Sequence, residues 1–381
     1  MRSLKEELSS LTVFRNILSL PVSRAFTEYL SAESAEKTDK YSEFVFRLYS
    51  AGYFSLGEYV RDALFSDDNV FVRLKGKGEE VPAAVKNSVE RELSVLSSFA
   101  AYPPEKGLAG YDGFDGDLAK EYLARAENIS RYGYGIYAKY GAFCFDGENI
   151  VPVEKPDGIR LSDLFGYGRE RRAVTENTRA LLSGKPAANV LLTGDAGTGK
   201  SSTVKAIANE FFSEGLRIVE ITKEQLKFLP AVFGKLADNP LKFIVFIDDL
   251  SFGGGEDNFS SLKAALEGSV SAKAKNAVIY ATSNRRHIVK ETFSDREGDD
   301  VHRNDTMQEL VSLSDRFGLR VTFQKPDKKA YLQIVRSLAE KEGVRLPAEE
   351  LDLGAERFAL EKGGRTPRAA AQYINKVVSE S

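Results

Sequence analysis

The sequence predicts an α/β fold, with a parallel sheet sandwiched by helices, a C-terminal helical lid and a mainly helical N-terminal domain. Beyond residue 159, short apolar runs rich in β-branched residues alternate with helical segments, a pattern typical of a parallel sheet covered on both faces. A glycine-rich segment lies between one such run and the helix after it. Helical periodicity alone remains beyond residue 327, and it also dominates the N-terminal region. These observations divide the chain into residues 1–155, 156–324 and 325–381.

Length, composition and charge limit the class of protein. A chain of 381 residues is longer than one typical domain and suggests two or three. The hydrophobic content of 42% and the charged content of 29% are typical of a soluble globular protein. The net charge of −3 argues against binding DNA or an anionic membrane by charge alone. We expect a cytoplasmic protein without a membrane partner, because no apolar run could span a bilayer and the first residues lack a signal-peptide core.

Cysteine and histidine are scarce, and this restricts the chemistry. The single cysteine, Cys144, excludes an internal disulfide and a multi-cysteine metal site. The two histidines, His287 and His302, are too few for a histidine-rich metal centre. Any reaction must therefore use carboxylates, lysine, arginine and a bound cofactor.

The N-terminal domain is marked by helical stripes of apolar residues up to about residue 103, beginning with Leu4, Leu8 and Leu11. A last helix is predicted near residues 117–128, before a group of tyrosines. Core or interface packing is the favoured interpretation of this group. The alternative is a stacking platform for single-stranded nucleic acid, which usually has an interleaved basic stripe that is missing here. The tyrosines are Tyr132, Tyr134, Tyr137 and Tyr140.

Residues 142–153 change to a period of two and predict a β-hairpin, with Asp146 and Gly147 in its turn. We place this hairpin at the end of the N-terminal domain, before a linker at 154–158. Strands are predicted at 190–193, 217–221, 243–247, 277–281 and 320–323. Helices are predicted at 200–212, 223–237, 258–266 and 306–313, and in the lid at 328–342, 349–362 and 367–378.

The glycine-rich segment has the spacing of a phosphate-binding loop. Gly194 is followed by four residues and then by Gly199, Lys200 and Ser201. Backbone N–H groups of such a loop point at phosphate oxygens, and the following helix N-terminus adds partial positive charge. Lys200 would reach the β- and γ-phosphates, and the Ser201 hydroxyl would ligate Mg²⁺. The predicted nucleotide-binding residues of this segment are Gly194, Asp195, Ala196, Gly197, Thr198, Gly199, Lys200, Ser201 and Ser202.

Polar side chains follow two later strands at the point where each strand ends. Asp248 and Asp249 come after the apolar run 243–247, where a parallel sheet places its ligand site. Asp248 is predicted to hold Mg²⁺, directly or through water, opposite Ser201. Asp249 is the candidate for polarising the attacking water. Asn284, after the next strand, is predicted to contact the γ-phosphate or the attacking water.

Arg316 stands before the last predicted strand and has two interpretations. Its cation could project towards a neighbouring subunit. Alternatively, Arg316 forms an ordinary ion pair with the adjacent Asp315. The residues alone do not decide between the two.

This succession of loop, strand-end carboxylates, polar strand end, Ser-Asp-Arg-Phe segment and helical lid resembles an AAA+ ATPase. More narrowly, four segments resemble an uncharacterised bacterial AAA+ family catalogued as a domain of unknown function, distantly similar to replication-initiator and helicase-loader ATPases. The resemblance is strong over residues 157–381 and extends to the N-terminal part in helical character only. The four segments are 165–167 with Asn177 and Thr178, 280–287, 293–300 and 313–319.

The resemblance implies an ATP site with bound Mg²⁺ that is shared between subunits of a homo-oligomer. Arg316 matches the arginine finger, which acts on ATP in the adjacent subunit. Arg368 takes the position of the second sensor, with Arg365 as the alternative. The other implied roles are Walker A for Lys200 and Ser201, Walker B for Asp248 and Asp249, first sensor for Asn284, and adenine pocket for Phe165, Gly166 and Tyr167.

Two features separate this chain from most AAA+ ATPases. Asp249 stands where most of them have glutamate, and the shorter side chain predicts slow turnover. In addition, no convincing aromatic-glycine pore loop follows the second strand of the α/β domain, because Phe233 with Gly234 lies in a predicted helix. Threading of unfolded protein substrates therefore has weak support.

We expect a cytoplasmic Mg²⁺-ATPase whose hydrolysis cycle moves domains against an unknown protein or DNA client. The main alternative is an ATP-dependent DNA-binding or helicase-loader-like assembly switch. A third is an adaptor that binds ATP without hydrolysing it. The DNA hypothesis depends on a modest basic patch formed by Lys273, Lys275, Arg285 and Arg286.

Overall fold

The computed structural model describes residues 2–250, 262–266, 275–284 and 315–380. The chain divides into two compact units. The first contains Met1–Tyr140 together with Asp238–Leu241, and the second contains Gly141–Ala237 together with Lys242–Ser381. The division thus falls before the hairpin, whereas the sequence places it near residue 155. In the described part of the chain, no helix has the length and apolar character needed to cross a membrane.

The first unit is helical and is built around aromatic side chains. Phe26 is fully buried, and its ring stacks on that of Phe99 with centroids 4.5 Å apart. Phe44 packs edge-on against Phe26 at 5.1 Å, so the predicted stripes meet in one core. The helices are α1 (Leu4–Ser9), α2 (Pro21–Ser31), α3 (Lys37–Ser50), α4 (Leu56–Phe65), α5 (Val70–Lys77), α6 (Ala83–Ala100), α7 (Leu118–Glu127), α8 (Ile129–Tyr132) and α9 (Ile136–Lys139).

The tyrosine group near the end of this unit is half-buried. Tyr132 contacts the guanidinium of Arg125, which lies 4.3 Å from its ring centroid. Burial raises the pKa of Tyr137 to about 12. These contacts support packing over a stacking platform for nucleic acid, since such a platform needs exposed ring faces.

A buried carboxylate ties α6 to the chain that follows α1. Glu92 has no exposed surface and accepts hydrogen bonds from the backbone N–H groups of Thr12, Val13 and Phe14 at 2.9, 3.0 and 3.1 Å. The Thr12 hydroxyl adds another bond at 2.6 Å. Burial alone raises the pKa of Glu92, but these hydrogen bonds outweigh it and hold the pKa below its ordinary value.

The Glu92→Gln variant is expected to lose about 1–3 kcal/mol of unfolding free energy at pH 7, because the amide cannot accept all of these bonds. Since the folded-state pKa lies below the unfolded one, the carboxylate stabilises the fold above the unfolded pKa. This contribution is lost as the pH falls through the folded pKa, so the difference from wild type should shrink in acid. Urea unfolding of both proteins at pH 7 and pH 4 measures this difference in unfolding free energy. Glu90→Gln, at an exposed position of α6, is the matched control; an equal loss in both variants would contradict the prediction.

The second unit contains a seven-stranded sheet in the order β2-β1-β4-β5-β6-β3-β7. All pairings are parallel except that of β1 with β2. The five strands predicted for the α/β domain are confirmed. The strands are β1 (Ala142–Phe145), β2 (Ile150–Pro152), β3 (Val190–Gly194), β4 (Leu216–Ile221), β5 (Lys242–Ile247), β6 (Ala277–Ser283) and β7 (Leu319–Phe323).

The hairpin forms as predicted, but it belongs to this sheet and not to the N-terminal helices. Strand β1 pairs in parallel with β4, with Phe143 opposite Val219. Phe143 and Phe145 are buried, which accounts for the aromatic residues around Cys144. The hairpin therefore extends the sheet by two strands.

Helices flank the sheet and form the lid. Residues 223–228 form a 3₁₀ turn, and Pro230 lies in the first turn of α12, where proline is tolerated. Residues 262–266 are helical; the rest of the helix predicted at 258–266 and all of that at 306–313 lie outside the described residues. The α/β helices are α10 (Gly168–Leu182), α11 (Lys200–Glu210) and α12 (Leu229–Ala237), and the lid helices are α13 (Lys328–Lys341), α14 (Ala348–Glu361) and α15 (Pro367–Glu380).

The order of the strands determines where the site forms. Strand β6 lies between β5 and β3, although it follows both in sequence. The carboxyl ends of these strands carry Asp248, Asn284 and the glycine-rich loop. Because parallel strands end at the same edge of a sheet, these three groups become neighbours.

Candidate nucleotide-binding site

The glycine-rich loop connects β3 to α11 through left-handed backbone conformations. Gly197 has a φ of 77° and Gly199, the residue that caps α11, a φ of 89°. A Cβ atom at Gly194 would lie 2.0 Å from the carbonyl oxygen of Phe323 on β7. Only glycine fits such a close approach between two backbones. The loop conformation therefore depends on the glycines that define the motif.

Lys200 is the most enclosed charged group of the site, with 5% of its surface exposed. Its Nζ donates to the carbonyl oxygens of Gly194 and Asp195 and to Oδ1 of Asn284, each at 2.9 Å. These three acceptors match the three N–H groups of an ammonium. Burial lowers the pKa of Lys200. A phosphate oxygen offered to Nζ would relieve the cost of this desolvated charge.

Ser201 and Asp248 converge as predicted. The Ser201 hydroxyl donates to Oδ1 of Asp248 at 2.6 Å, across the gap between α11 and β5. Mg²⁺ prefers one or two protein oxygen ligands, together with water and phosphate oxygens. The hydroxyl and the carboxylate supply that donor set, so the two residues fit a magnesium ion.

Asp249 and Asn284 join this group from adjacent strands. The Asn284 amide nitrogen donates to Oδ1 of Asp249 at 2.6 Å, while its amide oxygen accepts from Lys200. Asn284 therefore links the loop lysine to the second carboxylate. The structure brings together Lys200, Ser201, Asp248, Asp249 and Asn284.

These side chains line a cavity of about 440 Å³, a size typical of small-molecule sites. Its polar end is formed by the loop and the carboxylates. Its other walls come from the segment before α10, from α10 and from the lid, and they combine the charged residues Asp163, Arg171 and Arg368 with apolar side chains. Of this apolar lining, the sequence predicts only Phe165. The apolar lining residues are Ile159, Leu164, Phe165, Ile334, Leu338, Pro367 and Ala371.

Of the three residues proposed for the adenine pocket, one lines the cavity and two do not. Phe165 lines the cavity, whereas Gly166 and Tyr167 are not among the described residues that line it. A Cβ atom at Gly166 would lie 2.8 Å from Cδ1 of the lid residue Ile334. Tyr167 donates its hydroxyl to the carbonyl of Gln324 at 2.6 Å. These two residues therefore connect the wall of the cavity to the lid and to the end of β7.

The lid contributes one of the two arginines proposed as second sensor. Arg368 lines the cavity, and its backbone N–H donates to the carbonyl of Gly197 at 3.2 Å. Arg365 instead forms a two-pronged ion pair with Glu356 inside the lid, at 2.8 and 2.7 Å. The geometry favours Arg368 because only its side chain borders the cavity.

Removing the Arg368 side chain by Arg368→Ala is expected to weaken ATP binding about tenfold, since a charge-assisted contact to phosphate is worth about 1.5–3 kcal/mol. Titration with a fluorescent ATP analogue measures the dissociation constant. Arg365→Ala is the matched control from the same lid, and it should leave the affinity within about threefold of wild type. A larger loss in the control than in Arg368→Ala would assign the sensor role to Arg365.

Arg316 lies apart from this group. It is half-buried in the helical residues 315–316 before β7 and is not among the described residues that line the cavity of its own chain. Asp315 forms an ion pair with Arg320 at 3.2 Å. The finger role of Arg316 stays a prediction, and it requires a second subunit.

Several sequence-based hypotheses fall on residues outside the described part of the chain. They include three members of the proposed basic patch, Lys273, Arg285 and Arg286, and both histidines, His287 and His302. The fourth member, Lys275, is described and exposed. The resemblance segment 293–300 also lies outside.

The strand, loop and helix around Lys200, the carboxylates on the neighbouring strand and the lid that borders them together define an AAA+ P-loop ATPase fold. Residues 138–381 match a family described as a protein of unknown function (DUF815), and the chain belongs to this family. The family is thus an uncharacterised family of AAA+ ATPases, and the predicted resemblance is confirmed.

Curated relatives agree with this class. The chain is 28% identical over 255 residues to the ATP-dependent zinc metalloprotease FtsH of Ralstonia pickettii, covering 61% of this chain and 32% of that protein. It is 23% identical over 305 residues to the chromosomal replication initiator protein DnaA of Bifidobacterium animalis, covering 74% of this chain and 47% of that protein. The chain thus matches less than half the length of either relative.

Among solved structures, the RuvB Holliday junction branch migration motor of Thermotoga maritima is similar at a TM-score of 0.40 and 14% identity. The match covers 58% of this chain and 64% of that one. The sequence relationship to AAA+ ATPases reported above supports ATP binding by this chain.

Proposed function

We propose that this protein is a cytoplasmic Mg²⁺-dependent ATPase of the AAA+ type, which acts as a homo-oligomer and uses ATP binding and hydrolysis to move its domains against a client. The hydrogen-bonded group of Lys200, Asn284 and Asp249, beside the Ser201–Asp248 pair, is the observation that carries the proposal. This arrangement supports the proposal, because one cavity is lined by a buried lysine suited to phosphate, a carboxylate suited to orienting water and two oxygen donors suited to Mg²⁺.

Each side chain has a separate task in this proposal. Lys200 exchanges a protein acceptor for a γ-phosphate oxygen and stabilises the charge that develops there. Asp249 accepts a hydrogen bond from the attacking water and orients it in line with the bond that breaks. Asn284 keeps the Asp249 carboxylate at a fixed distance from the phosphate. Mg²⁺, held by Ser201 and Asp248, would neutralise charge on the β- and γ-phosphates.

Slow turnover follows from the second carboxylate. Asp249 is one methylene shorter than glutamate, and Asn284 already occupies one of its oxygens at 2.6 Å. The attacking water must therefore bind a carboxylate that reaches less far than glutamate and already accepts one hydrogen bond. Because misplacing a catalytic group by about 1 Å can cost a factor of about 100, we expect a low kcat.

The lid contacts the phosphate loop directly, so a change at the nucleotide can be transmitted to the lid. The backbone of Arg368 binds that of Gly197 in the phosphate loop, and a Cβ atom at Gly197 would lie 3.1 Å from that of Arg368. Nucleotide occupancy and lid position therefore share contacts. This supports coupling of ATP turnover to domain movement.

The direct test measures phosphate release by the purified full chain with ATP, with Mg²⁺ or with a chelator in its place. We expect slow release that needs Mg²⁺ and disappears in the chelator. Absence of release, together with ATP binding that survives Lys200→Ala, would contradict the ATPase proposal and favour an adaptor. DNA binding stays an alternative prediction; binding that does not weaken with salt would count against it.

A further inference from the structure

Thr282, the second-last residue of β6, forms three hydrogen bonds with the carboxylate turn, residues 248–250. Asn284 follows two residues further on, just beyond the carboxyl end of β6. Only 2% of the Thr282 surface is exposed. In the sheet, Thr282 pairs with Leu192 on β3. The residue before it, Ala281, pairs with Ile247 on β5.

The Thr282 hydroxyl binds both halves of the turn at once. It donates to Oδ1 of Asp248 at 2.6 Å and accepts from the backbone N–H of Asp249 at 2.9 Å. The carbonyl of Thr282 accepts from the N–H of Leu250 at 2.7 Å. Three consecutive residues are therefore held by one threonine, because its hydroxyl serves as donor and acceptor together.

This arrangement matters because Asp249 has an unfavourable backbone conformation. Its φ is 52°, in the left-handed region that non-glycine residues rarely adopt. Such conformations persist only where surrounding contacts determine them. The bond from Asp249 to the Thr282 hydroxyl supplies that constraint, so the direction of the Asp249 side chain depends on Thr282.

We propose that Thr282 is a positioning residue for the reaction, which fixes the Asp248 carboxylate for Mg²⁺ and the Asp249 carboxylate for the attacking water. The proposal rests on the proposed ATPase function. Thr282 acts through the two aspartates and does not itself touch the nucleotide. Its effect should therefore fall on kcat and on the magnesium dependence of binding rather than on magnesium-free affinity.

Thr282→Val keeps the shape of the side chain and removes the hydroxyl. We expect kcat to fall about 10- to 100-fold with the KM for ATP within about threefold of wild type, because the loss concerns group orientation. We call the increase in affinity for fluorescent ATP on adding Mg²⁺ the magnesium gain. In Thr282→Val this magnesium gain should shrink severalfold, whereas the affinity measured in a chelator stays unchanged. Thr282→Ser keeps the hydroxyl and should restore both quantities to within about threefold.

Thr178→Val is the matched control. Thr178 is also fully buried, and its hydroxyl bonds the carbonyl of Val174 at 2.9 Å and the hydroxyl of Tyr280 on β6 at 2.7 Å. It lies on α10 and not among the described residues that line the cavity. This variant should lower the thermal midpoint as Thr282→Val does while leaving kcat and the magnesium gain at wild-type values.

The outcomes separate the two proposals. Wild-type kcat and an unchanged magnesium gain in Thr282→Val, or equal defects in Thr282→Ser and Thr282→Val, would overturn the positioning role. If the wild type releases no phosphate, the ATPase proposal fails, and the magnesium gain in affinity still decides the role of Thr282. If Thr282→Val does not fold, Thr282→Cys, which carries only a weak donor, replaces it with the same expected result.

Discussion

Lys200→Ala is expected to lower kcat at least about 100-fold and to weaken ATP binding about tenfold or more, because it removes a buried cation from the proposed phosphate site. The Nζ atom lies within 2.9 Å of three oxygens at the ends of β3 and β6. Desolvation already lowers its pKa, so its interaction with phosphate gains strength from the enclosed environment. Phosphate release and fluorescent-ATP titration measure the two losses.

Lys205→Ala provides the control on the same helix. Lys205 forms a 3.8 Å ion pair with Glu220, and both side chains are partly exposed. Removing it should change kcat and affinity less than about twofold, as is usual for surface pairs. Thermal unfolding of both variants shows whether the fold is retained. Normal ATP binding by folded Lys200→Ala would contradict the assignment of the phosphate loop.

The second large effect concerns Arg316. Arg316→Ala is expected to lower kcat about 1,000-fold if the arginine acts as a finger on ATP in a neighbouring subunit. Mixing inactive Arg316→Ala subunits with inactive Lys200→Ala subunits should then restore activity. An interface is complete when an Arg316→Ala subunit supplies the intact cavity and a Lys200→Ala subunit supplies Arg316. Random 1:1 mixing makes roughly a quarter of all interfaces complete.

Arg320→Ala is the control for this experiment. Arg320 lies four residues further on, and its exposed ion pair with Asp315 at 3.2 Å should contribute little. The mixed oligomers must be purified through tags on both variants before the assay. Stable mixed oligomers without any recovery of phosphate release would contradict a finger in the neighbouring subunit.

The local part of the site could be predicted because its chemistry is encoded in consecutive residues. The glycines from Gly194 to Gly199 set the left-handed turns that a phosphate loop needs, so the pattern and the conformation have one cause. The apolar run before Asp248 is typical of a buried strand of a parallel sheet. Since such strands carry their ligands at the carboxyl end, the two aspartates were predicted to be functional before any contact was known.

Other features depended on contacts between distant residues. The hairpin was predicted, but its partner was not, because period two marks a strand without naming the strand it pairs with. Arg365 and Arg368 are three residues apart, and only the ion pair of Arg365 with Glu356 separates their roles. In the sequence, the apolar lid residues Ile334 and Leu338 cannot be distinguished from other core residues of a helix. Only the tertiary structure shows that they line the cavity.

The sequence by itself determined that this protein has a phosphate loop, a pair of strand-end carboxylates, a polar strand end at Asn284 and a helical lid. Each is a short motif whose backbone conformation follows from neighbouring residues. Only the tertiary structure decided that β6 lies between β5 and β3, which places Asn284 between Asp249 and Lys200 and Thr282 against both aspartates. Strand order follows from packing of the whole sheet, so no local pattern encodes it.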